Sequence, residues 1–372
     1  MTSPTLRTWD IPEVPGYLRA AEVAETAAAI ALVQQADGGI PWAVGEHIDA
    51  WNHVEGAMAL LVGGEVAAAE AAYDWCMANQ RGDGSWAMKI VGDKVVDDSG
   101  DTNMSAYVAV GIWHHWLLRR DLGFVRRFWP VVRGALDFVA GLQLPFGGIG
   151  WSRQGDGKVN ADGLVAGSSS IYHAFRAGLA LANLVGEPQP GWELVAGRLR
   201  HALEEHRDLF LDKSTFSMDW YYPVLNGPVR GEPGRRLLES RWDEFVVDGL
   251  GCRCVDDRPW VTGAETCELV MALDLLDLDD LALKVFGDML HTRHLGGLYW
   301  TGYVFDEDVF WPHEQTTYTS ASVILAADAL SRTTPGSGIF RGAGLAAEPP
   351  SLAMHCGCVS QPVGASRPER RG

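Results

Sequence analysis

Gln80-Arg81-Gly82-Asp83-Gly84-Ser85-Trp86 is the stretch on which the fold turns. It follows an alanine-rich run of helical period that ends near Asn79. Three other stretches resemble it. Gln34-Gln35-Ala36-Asp37-Gly38-Gly39 has Trp42 just beyond, Gln143 is followed by Gly147-Gly148 and Trp151, and the last reads His294-Leu295-Gly296-Gly297-Leu298-Tyr299-Trp300. Self-similar punctuation of this kind marks a repeat architecture. Glycine just past a helix end supplies a left-handed cap, and Asp-Gly makes the turn. The tryptophan is then expected to pack back on the helix ends.

Outward from these loops, helical runs alternate regularly. Outer helices are expected over 17–35, 65–80, 122–142, 189–207, 230–244 and 279–293. Inner helices are expected over 49–62, 102–118, 164–185, 217–226, 262–276 and 314–331. The inner runs are apolar all round, as a helix buried on both sides must be. Short turns such as Gly63-Gly64 join inner to outer, and long loops lead from outer to the next inner. The reading is an all-α chain, an (α/α)6 toroid of six helical hairpins, in one domain over residues 1–333. The fifth pair, 217–244, is the least regular, with Pro223, Pro228 and Pro233. Residues 334–372 are rich in Gly, Pro and Ser and are expected to be a disordered tail.

Composition narrows the function. The 372 residues carry 30 Lys+Arg against 48 Asp+Glu, a net charge of −18. That argues against nucleic acid or an anionic membrane as partner, since both need clustered positive charge. No apolar run reaches the ~18–20 residues of a membrane span. The first residues lack a basic and then apolar leader, and six Cys make no disulfide framework, so a reduced, cytoplasmic protein is expected.

In a toroid all the long loops lie at one end, above the N-termini of the inner helices. Acids and aromatics concentrate there, which makes this mouth the candidate site. Asp49, Trp51, Asp101, Trp151, Asp219, Trp220, Trp260, Trp311 and His313 are the expected substrate-binding residues. Exposed indoles stack on sugar rings and carboxylates accept hydroxyl hydrogen bonds. A diphosphate would want clustered Arg and Lys, and the mouth's cations are scattered among more numerous acids. No cofactor is implied. His47, Asp49 and His53, or Cys252, Cys254, Asp256 and His313, lack the spacing of a strong metal signature. Gly167-Ser168-Ser169-Ser170 has no following G-K-[ST] and is not a phosphate loop.

Two family resemblances add to this. The Q-x-x-D-G-x-W stretch, complete at 80–86, resembles the repeats of squalene-hopene cyclases and their prenyltransferase relatives. Asp277-Leu278-Asp279-Asp280 has the D-x-D-D form of the cyclase proton donor, but falls in an inner-to-outer turn, at the wrong end. A zinc prenyltransferase would offer Asp-x-Cys, whereas here the order is Cys254-x-Asp256.

The second resemblance, over 98–185 and 311–330, is to the glucoamylase-like six-hairpin glycosidases. Asp101-Thr102-Asn103-Met104-Ser105-Ala106 is similar to one of their inner helices, and Gly167-Ser168-Ser169 to the opening of their third. His313-Glu314-Gln315 is similar to the segment with their catalytic base. The resemblance implies Glu314 as base of an inverting, two-carboxylate mechanism. The paired glutamates expected before G-S-S are absent, so Asp162, Glu265 or Asp257 would supply the acid. The expectation is therefore a glycosidase acting on an oligosaccharide. The alternatives are an isoprenoid-handling enzyme and a non-catalytic toroid that binds glycan or a partner protein.

Overall fold

The computed structural model describes residues 9–353. In chain order the hairpins are α1 (Ala20–Val33) with α2 (Ala50–Val62), and α3 (Val66–Asn79) with an inner helix split into α4 (Thr102–Ala106) and α5 (Val108–Arg119). Next come α6 (Leu122–Ala140) with α7 (Val165–Val185), and α8 (Pro190–Glu205) with α9 (Ser217–Leu225). The fifth unit has α10 (Gly231–Glu239) and the short α11 (Trp242–Phe245) before α12 (Gly263–Leu275), and α13 (Asp279–Met289) precedes α14 (Thr317–Ser331). The inner helices close a ring: α2 packs on α5, α5 on α7, α7 on α9, α9 on α12, α12 on α14, and α14 back on α2. The fold is the expected (α/α)6 toroid.

Burial explains the two helix types. Every residue of α2 except Asn52 is buried, since the helix meets the ring on one side and outer helices on the other. In α3 only the stripe Ala69, Ala72, Tyr73, Trp75 and Cys76 is buried. Outer helices thus keep an amphipathic period, and inner ones lose it.

The repeats are staples between neighbouring outer helices. Gln80 Nε2 donates to the Gly84 carbonyl of its own loop (2.9 Å) and to Val131 O of α6 (2.8 Å). Gln34 does the same to Gly38 O and Ala68 O of α3, and Gln143 to Gly147 O and Val195 O of α8. At the ring's closure Thr26 of α1 supplies the donor to Gly297 O (2.8 Å). Gly84 has φ +93°, and a Cβ there would strike the Gly134 carbonyl, so glycine is needed for both the turn and the close approach. Gln80→Ala removes two partly buried hydrogen bonds. It is expected to cost about 1–3 kcal/mol, read as a lower melting temperature; an unshifted melting curve would deny the staple any stabilising role.

Two parts of the structure depart from the expectation. The mouth loops are not all irregular. Those at 246–262 and 302–310 form a five-stranded antiparallel sheet, in the order Val309–Phe310, Gly302–Val304, Trp260–Thr262, Gly251–Arg253, Val246–Val247. The segment 334–353, expected to be disordered, instead packs across the end remote from the mouth. Ile339 and Phe340 are buried, Thr334 bonds Asp328, Arg341 pairs with Asp274 and Asp277, and Leu352 N reaches Gly197 O of α8. Composition misleads here because Ile339 and Phe340 are buried and Leu345 and Ala346 pack against the core. The remainder of that tail, 354–372, lies outside the described residues. Among the described residues no helix is long and apolar enough to cross a membrane.

Asp277-Leu278-Asp279-Asp280 is the turn between α12 and α13, with Asp277 at φ +56° and its acids facing Arg332 and Arg341. The N-cap position of α13 belongs to Leu278, and Asp279 and Asp280 stand in its first turn.

Candidate active site

The mouth is built by inner-helix N-termini. Asp49 is the N-cap of α2: Oδ1 accepts the amides of Trp51 (3.1 Å) and Asn52 (3.0 Å). Asp101 caps α4 through the Met104 amide (2.9 Å). Glu265 stands in the first turn of α12. Capping explains the sequence positions of the two aspartates, because short acceptors satisfy orphan amides there. It also leaves their carboxyls at the floor of the opening.

Two hollows meet in one cleft. A central hollow of about 290 Å³ is lined by Trp42, Asp49, Trp51, Asn52, Asp101, Asn103, Met104, Met218, Tyr222, Glu265 and Tyr318. A second, of about 190 Å³, contains Trp151, Leu164, Ser168 and Ile171, and shares Asp101, Asn103, Met218 and Tyr222 with the first. Asp101 thus sits where the two join. Neither lining includes a lysine or arginine. Burial pushes Asp101 up to about 6, helped by the nearby charge of Asp49. Desolvation also raises Asp49, against the amides that bond it. Two carboxyls held toward their protonated forms therefore share the central hollow with Glu265.

Below the floor lies a buried carboxylate network. Glu268 accepts hydrogen bonds from Tyr222 and Tyr318 (2.8 Å each) and from Tyr221. Burial raises Glu268 to about 7. Glu55 is bonded by Ser322 (2.9 Å) and is raised well above its ordinary range by burial and by Glu268. Tyr222 and Tyr318 present their other edges to the cleft, so Glu268 fixes the cleft floor.

The remaining expected residues are spread out. Trp51 and Trp151 line the cleft. Glu314 Oε1 accepts from Trp42 Nε1 (2.9 Å), so it stands behind the cleft wall rather than in the central hollow. His313 is exposed beside it. Trp260 and Trp311 form an edge-to-face pair at the rim, 5.1 Å apart, with Trp311 54% exposed. Trp220 is core, stacked on Phe245 with its indole nitrogen on Leu237 O. Asp219 accepts the Ala166 amide and is raised to about 6 by burial; Asp219 and Trp220 border a separate hollow of about 410 Å³ beside Arg207 and Arg241. Asp162 and Asp257 are exposed, and neither borders the cleft; Asp257 pairs with Arg258.

Trp42, Asn103, Met104, Met218, Tyr222 and Tyr318 were not singled out as site residues. Trp42 carried a signal, as the tryptophan of a repeat loop. Only Trp86 packs back as expected, its indole on Cys76 O (2.9 Å).

Comparison with known proteins gives the family of the chain. A protein of Mycolicibacterium hassiacum described as an MMP endo-(1,4)-3-O-methyl-alpha-D-mannosidase is 53% identical over 335 residues, 90% of this chain and 93% of that protein. The chain belongs to the family of that endo-mannosidase. It is a glycosidase. Solved structures agree in fold: a glycosidase at TM-score 0.65 and 15% identity, covering 83% of this chain and 97% of that one, and a D-mannose isomerase at TM-score 0.61 and 9% identity, covering 82% and 95%. No family model matches.

Proposed function

We propose that the chain hydrolyses internal α-1,4 linkages of a 3-O-methylated mannan, with inversion. The observation that carries the substrate is the 53% identity to the endo-mannosidase across 90% of the chain. The cleft is compatible with it. Asp101 joins two hollows, which gives sugar units a place on both sides of the reacting bond. Met218 brings a thioether to both hollows and Met104 one to the central hollow. A methoxy group has lost its hydroxyl donor and gains from such soft apolar contact.

In this reading the Asp49–Asp101 wall protonates the glycosidic oxygen as the bond from C1 breaks. Glu265 takes a proton from the water whose oxygen bonds to C1 from the other side. The two protonation states are restored by net transfer of that proton to the acid. Glu314 orients Trp42 against the sugar.

The test is incubation with a 3-O-methylated α-1,4-mannan, followed by mass spectrometry and early proton NMR. Shorter oligosaccharides with β-configured new reducing ends are expected. Release of monosaccharide alone would contradict the endo mode, and α-configured ends would contradict inversion.

A further inference from the structure

The mouth holds a third hollow that the cleft does not include. It measures about 290 Å³ and is lined by Val44, Leu298, Trp300, His313, Glu314 and Gln315 among others. One wall separates it from the central hollow. The Trp42 side chain borders the central hollow and donates to Glu314, and Glu314 borders the third. Asp101 thus joins the second hollow to the central one, and the Trp42–Glu314 pair is the wall between the central hollow and the third.

Each hollow also receives one tryptophan from a repeat loop: Trp151 in the second, Trp42 in the central one, Trp300 in the third. Trp300 is braced there. Phe310 stacks on it at 5.3 Å and 8°, and His313 tilts against it at 4.8 Å. A braced indole ringed by a carboxylate, an imidazole and a carboxamide suits a neutral sugar. The ring's apolar face stacks, and the hydroxyls donate to Glu314 or exchange bonds with Gln315 and His313. No lysine or arginine borders this hollow, which disfavours an anionic ligand.

We infer that the Trp300–His313 hollow is a saccharide subsite for hexose units of the polysaccharide remote from the bond that is cut. The inference rests on the glycosidase reading of the adjacent cleft. It gives the enzyme a grip on long chains that short oligosaccharides do not use.

The experiment compares kcat/KM on 3-O-methylmannose oligosaccharides of increasing length for the wild-type chain, Trp300→Ala and His313→Ala. The second variant removes an exposed side chain and guards against a folding defect in the first. Wild-type kcat/KM should rise with length, and the long-to-short ratio should fall about three- to tenfold in each variant, carried by KM. Equal losses at every length, or none, would overturn the subsite. Should the wild-type chain cut no oligosaccharide, the hydrolytic reading of the cleft fails. Calorimetric binding of the same oligosaccharides then decides the subsite separately: weakening by His313→Ala supports it, and unchanged affinity overturns it.

Discussion

Glu265→Gln is expected to lower kcat by about 10²–10⁴ on a methylated mannan while the protein stays folded. Glutamine keeps the volume and hydrogen-bonding reach of the side chain but cannot take a proton from water. Glu265 is half-buried at a helix start and borders the central hollow, so the substitution disturbs little else. Asp101→Asn should cost a comparable factor from the other side of the mechanism. An acid must be protonated to act, and Asp101 is held at about 6, so kcat/KM should decline as pH rises above about 6. Glu314→Gln is expected to be milder, because Glu314 borders the third hollow and not the central one, and holds Trp42 through one hydrogen bond. The reverse ranking, with Glu314→Gln inactive and Glu265→Gln active, would move the base to Glu314 as the glycosidase resemblance first implied.

The second large effect is on stability. Glu268→Ala would leave Tyr221, Tyr222 and Tyr318 without their common acceptor, deep in the ring. Removing the acceptor for three buried hydroxyls costs on the order of 3–5 kcal/mol, measurable by denaturant unfolding. Glu268→Gln retains an acceptor oxygen and should lose less. Glu268 also makes stability pH-dependent. Its folded value of about 7 lies above the ordinary 4.5, so between these values the native state binds a proton that the unfolded chain does not. The stabilisation is complete below about pH 4.5 and is lost as pH rises through about 7. Asp101 and Asp328, raised from 3.8 to about 6 by burial, act with the same sign over a lower window. Buried His53, His114, His115 and His173, held below their ordinary range by desolvation, act with the opposite sign, so the contribution of Glu268 is read as a difference: Glu268→Gln should lose more stability relative to the wild type at pH 5 than at pH 7.5. A Glu268→Gln loss equal at both pH values would show that Glu268 does not hold its proton in the native state.

The helix ring was legible because it depends on local chemistry. Gly38, Gly84, Gly147 and Gly297 all adopt positive φ in the tight turn of a repeat loop, and not as the expected helix caps, since Gln34, Gln80 and Gly141 end their helices at negative φ. A left-handed glycine in a tight turn is a short-range requirement and writes itself into the residues. The contrast between all-round and one-sided apolar helices is also local, which let inner and outer helices be told apart. The five-stranded sheet was not legible. Its strands are two or three residues long and pair between the loop at 246–262 and the loop at 299–310, too far apart in sequence for a periodic signal.

The site was half legible for the same reason. Asp49, Asp101 and Glu265 could be named as mouth acids because each sits at the start of an inner helix, a position that sequence periodicity locates. Sequence could not rank them against Asp162 and Asp257, which lie on mouth loops just as plausible and turn outward to solvent. Nor could it separate Trp220, whose indole closes the core on Leu237, from Trp151, which opens on the cleft.

Sequence alone therefore determined the toroid and its alternation of outer and inner helices, and it pointed to the end that holds the candidate site. These follow from backbone turns and hydrophobic period, which act over a few residues. Tertiary structure alone decided which carboxyls share one hollow, that Asp101 is pushed toward its protonated form there, and that three tyrosines converge on Glu268. Those properties depend on desolvation and on the approach of helices distant in the chain, and no local pattern of residues encodes them.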